Sequence, residues 1–391
     1  MATATDAGFN WRAVQSTLET DLVLFFLQYP AGPWTRLRDK VIMHGTQLYD
    51  NQSLLSLRIL SHNIRWAATS LLDNERPWEE RRPLIINELS HNTQPYMAVG
   101  HLGDGALPGM AAFICLQEVL HSQLSDILHD LNGIKPEKQE LSLPAGPFWA
   151  HIGVGREDGH TKGEYSPIIY PVQLFDLLHV QTVWLSPTPD RPSKGWDAWK
   201  ERILTAGVFR SKLTGQRIIG CCTHLDNAGS ESRKKSVGII LETMESLRRE
   251  WPTNHNMSST AEQGAAVFLA GDFNAQPDQE AYLEMEASDL MCDLRNFVGP
   301  RRRYGDVSTF TGFNRDQDSE DQGRIDFIWL GPKDQVSGHE CAREDDPARE
   351  SVQGPRWMVD GYAVLPNRFE DGVYNSDHRC VVGDVTLDPR Q

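Results

Sequence analysis

The chain has 391 residues, 39 % hydrophobic and 24 % charged, with 38 Lys and Arg against 54 Asp and Glu, a formal charge of −16. That is the mixture of a globular protein long enough to bury a large core. No run approaches the ~20 apolar residues of a membrane span, and the acidic balance argues against tight, sequence-independent binding of long duplex nucleic acid.

A short or single-stranded substrate stays open, because a local basic pocket can coexist with net negative charge. The best apolar run, Leu22 to Leu27, is bracketed by Asp21 and Gln28. Ahead of it stand Asp6, Glu19 and Asp21, with Arg12 the only basic residue, unlike the basic start of a secretory signal. A cytoplasmic protein without a membrane span is expected. The six cysteines, Cys115, Cys221, Cys222, Cys292, Cys341 and Cys380, fall mostly in apolar runs. Adjacent Cys221 and Cys222 would point to opposite faces of a strand. Buried free thiols are the simplest reading, and no C-x-x-C pair points to zinc.

Residues 1–55 read as an N-terminal appendage of unknown role, interrupted by Pro30, Gly32 and Pro33, and residues 56–391 as the main domain. The first clear strand is Leu57 to Ile64. Arg76 to Leu89 reads as largely helical, with Pro77 and Pro83 each suited to a first turn. Ala111 to Leu116 is a continuous apolar run, as in a buried strand, and Val119 to Leu131 has the spacing of a helix. Ile168–Val172, Val180–Leu185, Gly207–Arg210 and Arg217–Cys222 read as successive strands, the last two joined at Thr214-Gly215. Ser230 to Glu250 is a long amphipathic helix, Ala265 to Ala270 a buried strand, and Asp278 to Glu286 a helix. Asp326 to Leu330 and Arg379 to Thr386 are the last strands. Asp316 to Gly323 and Gly338 to Gly354 are polar and read as loops. Hairpins in the middle with helices elsewhere predict an α/β protein with two mixed sheets packed together and helices outside.

Several strands end in a polar cluster instead of a plain turn. They carry Asn63, Gln117-Glu118, Thr223-His224-Leu225-Asp226-Asn227 and Asp272-Phe273-Asn274, and Ser376-Asp377-His378 precedes the last strand. One such cluster is ordinary turn chemistry. Five with this selection point to an active site where strand termini converge. Hard Mg²⁺ prefers carboxylate oxygen, which Glu118 offers beside Asn63. A phosphate group needs donors around its oxygens, and His224, Asn227 and Asn274 are candidates. Asp272 suits the base or orienting carboxylate for an attacking water. His378 with Asp326 would form a dyad.

The order L-S-H-N-I-R, L-Q-E-V, T-H-L-D, G-D-F-N-A-Q-P, R-I-D-F-I and S-D-H resembles the endonuclease/exonuclease/phosphatase superfamily, from about Leu57 to Val385. The resemblance implies a four-layer α/β sandwich and one or two Mg²⁺ ions, with Mn²⁺ as a substitute. It implies Glu118 as principal metal ligand, with Asn63 and Asp377 supporting. His224 would contact the scissile phosphate, Asn274 grip it, Asp272 align or deprotonate water, and Asp326 orient His378. Asn227 is a departure, since close relatives often carry a second His there. Arg65 beside Asn63 is a further phosphate candidate, with a strand-end salt bridge as the bland alternative.

A nuclease-type phosphodiesterase, such as a 3′–5′ exonuclease on RNA, is the leading expectation, because Gly271 to Tyr282 resembles deadenylase-type members. A phosphatase or phosphodiesterase acting on a small or lipid-linked phosphate is the alternative and fits the negative charge better. A binding module without catalysis ranks last, since every expected residue type is present. Trp196 and Trp199 would stack a base or cap the core. Trp78, Arg81 and Arg82 read as a helix packing face, with the site rim as the alternative, and Arg301 to Arg303 as a solvated basic run, with a phosphate-backbone contact as the alternative. Nothing in the sequence indicates a protein partner.

Overall fold

The computed structural model describes residues 54–97, 111–133, 148–252, 264–313, 322–338 and 356–388. The appendage 1–53, Cys341 and most of the two polar loops lie outside the described residues.

Strand β1 (Leu55–Asn63) shows how alternation builds the fold. Leu55, Leu57 and Ile59 enter one apolar cluster and Leu60 another, as a period of two requires. Its parallel neighbour β2 (Ala111–Gln117) divides the same way, with Phe113 and Cys115 on one face and Ile114 and Leu116 on the other. With β3 (Trp149–Ile152), β4 (Ile168–Pro171), β10 (Arg303–Gly305), β12 (Val336–Gly338), β13 (Arg356–Val364) and β14 (Val381–Asp388) they form an eight-stranded sheet in the order β10-β13-β14-β1-β2-β4-β3, with β12 also on β13.

The second sheet runs β5-β6-β7-β8-β11-β9, from β5 (Phe175–Trp184), β6 (Ile203–Ser211), β7 (Arg217–His224), β8 (Ala266–Asp272), β9 (Cys292–Asp293) and β11 (Asp326–Gly331). Cys222, Phe268 and Ile328 join the cluster of Leu57 and Phe113 between the sheets, whereas Cys221, Leu269 and Trp329 face outward. At the centre the Phe113 ring lies 4.8, 5.0 and 5.3 Å from those of Phe175, Phe209 and Phe268.

Helices α1 (Trp78–Met97) and α2 (His121–Gly133) cover the first sheet through Trp78, Ile85, Leu124 and Ile127. Helices α3 (Ser230–Glu250) and α4 (Glu280–Glu286) cover the second through Val237, Ile240, Ala281 and Met285. The result is the expected four-layer α/β sandwich. The five described cysteines are buried and free.

Three readings need correction. Pro83 is the sixth residue of α1, inside the helix rather than in its first turn; its missing N–H leaves one carbonyl of the preceding turn without a helical partner. The strand read at Val180 begins at Phe175, with a register irregularity between Leu177 and His179 that hides the alternation. Strand β13 escaped notice because a bulge between Val359 and Gly361 flips its inward phase, from Trp357 and Val359 to Tyr362 and Val364.

The topology places the site. β7 runs parallel to β8 with His224 opposite Asp272, and antiparallel β11 sets Asp326 opposite the same Asp272. In the other sheet Asn63 pairs with Gln117. Alternation turns Asn63, His224, Asp272 and Asp326 all toward the space between the sheets, at one edge.

Candidate active site

Asn63 joins the two sheets. Its Nδ2 donates to Glu118 Oε1 at 3.1 Å and to Asp272 Oδ2 at 3.0 Å. Its Oδ1 accepts from the Arg65 amide at 3.0 Å. The Trp66 amide donates to Glu118 Oε2 at 3.3 Å. Arg65, Glu118 and Asn274 all have positive φ (58°, 58° and 47°). Non-glycine residues adopt that conformation seldom and tend to do so at functional sites. A Cβ on Gly271 would strike the carbonyl oxygen of Thr223, so glycine is what lets β8 lie so close to β7 just before His224 and Asp272.

On one side of Asp272, His378 Nδ1 lies 2.9 Å from Asp326 Oδ2 and its Nε2 lies 3.7 Å from Asp272 Oδ2. All three are buried. Burial alone would lower the His378 pKa, but Asp326 and Asp272 outweigh it and push it up to about 10. Burial and the charge of Asp326 push Asp272 up to about 7. Arg324, the other conceivable partner for Asp326, pairs instead with Asp293. On the opposite side, Asn274 Nδ2 donates to the Leu225 carbonyl at 3.0 Å, which orients the amide and aims its other hydrogen at His224 Nε2, 2.9 Å away. His224 is then neutral with its proton on Nδ1, which faces Glu164 Oε2 at 3.8 Å. Burial, followed by the charges of Arg202 and Arg156, holds its pKa well below the ordinary value.

Asp377 is buried, and burial together with the charge of Glu118 raises its pKa. Burial and the same Glu118 charge raise half-buried Glu164. The charge of Glu118 is thus felt at both Asp377 and Glu164. The hard oxygens of Glu118, held beside Asn63, suit a divalent cation of the Mg²⁺ or Mn²⁺ kind. Asp272, Asp326 and His378 also have possible ligand atoms within 4.8 Å of one another, as do His62, Glu88 and Cys380. In both groups a direct 2.9 Å contact, His378 to Asp326 and His62 to Glu88, already uses atoms an ion would need.

The structure thus brings Asn63, Glu118, His224, Asp272, Asn274, Asp326 and His378 into one chain of contacts, with Asp377 adjoining. Arg65 is turned to Glu75, its Nε 3.1 Å from Oε1 and its Nη1 4.0 Å from Glu118. Asn227 is exposed, and its Oδ1 accepts from Arg202 at 3.1 Å. No motif pointed to Arg156, which grips Glu164 through two bonds of 2.8 and 2.7 Å, or to Arg202, held 3.2 Å from Asp226. Trp199 is 67 % exposed beside them, its amide bonded to Asp226. Arg302 and Arg303 flank β10 at the sheet edge, bonded to the Asp360 and Val298 carbonyls rather than to the site. A groove of about 590 Å³, lined by His91, Arg302 and Tyr304 among others, opens on the helix-covered face of the first sheet and not where these residues converge.

The Endonuclease/Exonuclease/phosphatase family model matches residues 60–378. No curated protein matches the chain. Among solved structures, an endonuclease/exonuclease/phosphatase family protein of Bacteroides thetaiotaomicron is 26 % identical, covering 85 % of this chain and 96 % of that one with a TM-score of 0.64. A mannosyl-6-phosphatase of the same organism is 27 % identical over 84 % of this chain and 99 % of its own, at TM-score 0.62. The human Nocturnin catalytic domain is 16 % identical over 85 % and 94 %, at TM-score 0.54, a likeness of fold alone.

Proposed function

The chain belongs to the endonuclease/exonuclease/phosphatase family, and from that premise we propose that it hydrolyses the phosphate ester of a small polar molecule, a sugar phosphate, with a divalent metal at Glu118. The carrying observation is the Asn63 amide, which ties Glu118 of one sheet to Asp272 of the other. It sets the candidate metal ligand at a fixed distance from the candidate water-orienting carboxylate. Asn63 and Asp377 support the ion. When bound, such an ion neutralises charge on the phosphoryl oxygens.

The remaining residues divide the work. Asp272, with a pKa near neutrality, orients the attacking water or takes its proton. Asn227 offers a donor to the phosphoryl oxygens, and Asn274 and His224, whose N–H groups face the Leu225 carbonyl, each other and Glu164 without substrate, would turn theirs to the phosphate on binding, with the positive charges of Arg156 and Arg202 behind them. His378, kept cationic by Asp326, places positive charge beside Asp272. The sugar-phosphate reading rests on the 27 % identity to a mannosyl-6-phosphatase over nearly the whole of that chain, and on the net charge of −16. The nuclease expected from the Gly271 to Tyr282 stretch is the second reading. It is favoured by the exposed Trp199, a platform on which a base could stack.

The test is a panel of hexose phosphates, inositol phosphates, sphingomyelin and single-stranded RNA and DNA with Mg²⁺. Preferred turnover of a hexose phosphate supports the first reading, and preferred turnover of RNA or DNA replaces it with the second. The boundary near residue 55 is tested on the same panel: a chain starting at residue 54 should keep turnover, since β1 begins at Leu55.

A further inference from the structure

Helix α1 carries two charged side chains, Arg81 and Glu88, at a spacing of two turns and therefore near one face. Both are buried. Burying charge is costly unless the group is fully hydrogen-bonded, and these two spend their bonds on backbone and polar groups leading into the site. Arg81 Nη1 donates to the carbonyls of Ile64 at 2.7 Å and Asn375 at 2.9 Å. Its Nη2 donates to those of Arg65 at 3.0 Å and Trp66 at 3.3 Å, and its Nε to that of Arg76 at 2.9 Å. Glu88 Oε2 accepts from Asn375 Nδ2 at 3.1 Å, and its Oε1 lies 2.9 Å from His62 Nδ1. His62 Nε2 in turn meets the His378 carbonyl at 3.3 Å.

We propose that Arg81 and Glu88 are positioning residues that keep the Asn63–Glu118 half of the site in register with the Asp377–His378 half. The inference rests on the phosphoesterase reading above. The Arg65 and Trp66 amides hold Asn63 and Glu118, and Arg81 holds the carbonyls of the same two residues. Its other end holds Asn375, two residues before Asp377. One planar guanidinium thereby spans both halves; an ammonium has three donors and no fixed fork. Glu88 meets the second half through Asn375 and touches the first only at His62, the β1 neighbour of Asn63 whose Nε2 faces the His378 carbonyl. Asn367 Nδ2 and Thr311 hold the Ser376 and Asp377 carbonyls, so every carbonyl from Asn375 to His378 is gripped from elsewhere in the fold. Removing one grip leaves the fold standing and lets one half drift.

The two residues therefore predict different losses. The experiment measures turnover of the preferred phosphate ester, Mn²⁺ binding by electron paramagnetic resonance, and melting temperature for full-length wild type, Arg81→Lys, Glu88→Gln and Arg82→Met. Arg82 lies on the same helix but pairs with Asp126 and Asp130 and serves as control. Arg81→Lys should weaken Mn²⁺ binding and lower kcat, each by about tenfold or more, the usual effect of losing an outer-shell partner. Glu88→Gln should lower kcat by a similar factor and weaken Mn²⁺ binding less than Arg81→Lys does, since it loosens Asp377 but not Glu118. Arg82→Met should change neither. If Arg81→Lys and Glu88→Gln lower only the melting temperature, with wild-type kcat and Mn²⁺ binding well below it, the residues merely stabilise the fold and the inference is overturned. A wild type that turns over no phosphate ester sinks the functional reading instead, and the Mn²⁺ measurements still decide on Arg81.

Discussion

Asp326 and His378 lie far apart in the chain and 2.9 Å apart in space. Residues working as a unit are non-additive when removed. Asp326→Asn combined with His378→Ala should turn over barely more slowly than His378→Ala alone, whereas clean multiplication of the two losses would say they act separately. The His378 pKa also fixes a sign. It rises from an ordinary 6.5 to about 10, so the stability its proton supplies is complete below pH 6.5 and is lost as pH climbs through 10. In metal-free protein, the melting-temperature gap between wild type and His378→Gln should therefore narrow between about pH 7 and about pH 10; a constant gap contradicts the assignment. His378 and Asp326 were legible in the sequence because each is a reactive type at a strand end. Glu88, Arg156 and Glu164 were not, because a charged residue in a helix or loop usually faces water, and Arg81, read as part of a helix packing face, shows its bonds toward the site only in the fold.

Strands such as β1, β7 and β8 could be read as apolar runs ending in polar residues, and their inward faces, which only the fold supplies, carry the site. Strand β13 could not, because its bulge reverses the phase midway. Pro83 misled for a related reason: a proline marks a helix start unless packing overrides it. Two glycines give opposite tests at this scale. Gly271→Ala should lower both melting temperature and turnover, because the new methyl would force β8 from Thr223 beside His224 and Asp272; unchanged turnover would refute that close approach. Gly238, inside α3, has nothing within 4 Å of an added Cβ. Gly238→Ala should raise stability by roughly 0.5–1 kcal/mol in a denaturant titration and leave turnover alone.

The two sheets of the described residues pack by their inner faces, and the proposed function requires Glu118 to hold a metal at one edge of that interface. The four layers followed from hairpins, helices and motif order, but the substrate did not, since the surroundings of exposed Trp199 and buried Arg202 come only from the fold. The net charge of −16 opposes a long nucleic acid far more than a small phosphate. The most direct measurement is the Mg²⁺ dependence of hexose phosphate hydrolysis by wild type and Glu118→Gln, beginning from exhaustively chelated protein. Turnover should be absent without metal and recover fully on adding Mg²⁺ or Mn²⁺. Glu118→Gln, folded at least as stably as metal-free wild type because a repelling carboxylate is gone, should need far more Mg²⁺. Full turnover after chelation, or normal turnover of Glu118→Gln at limiting Mg²⁺, would contradict a metal at Glu118.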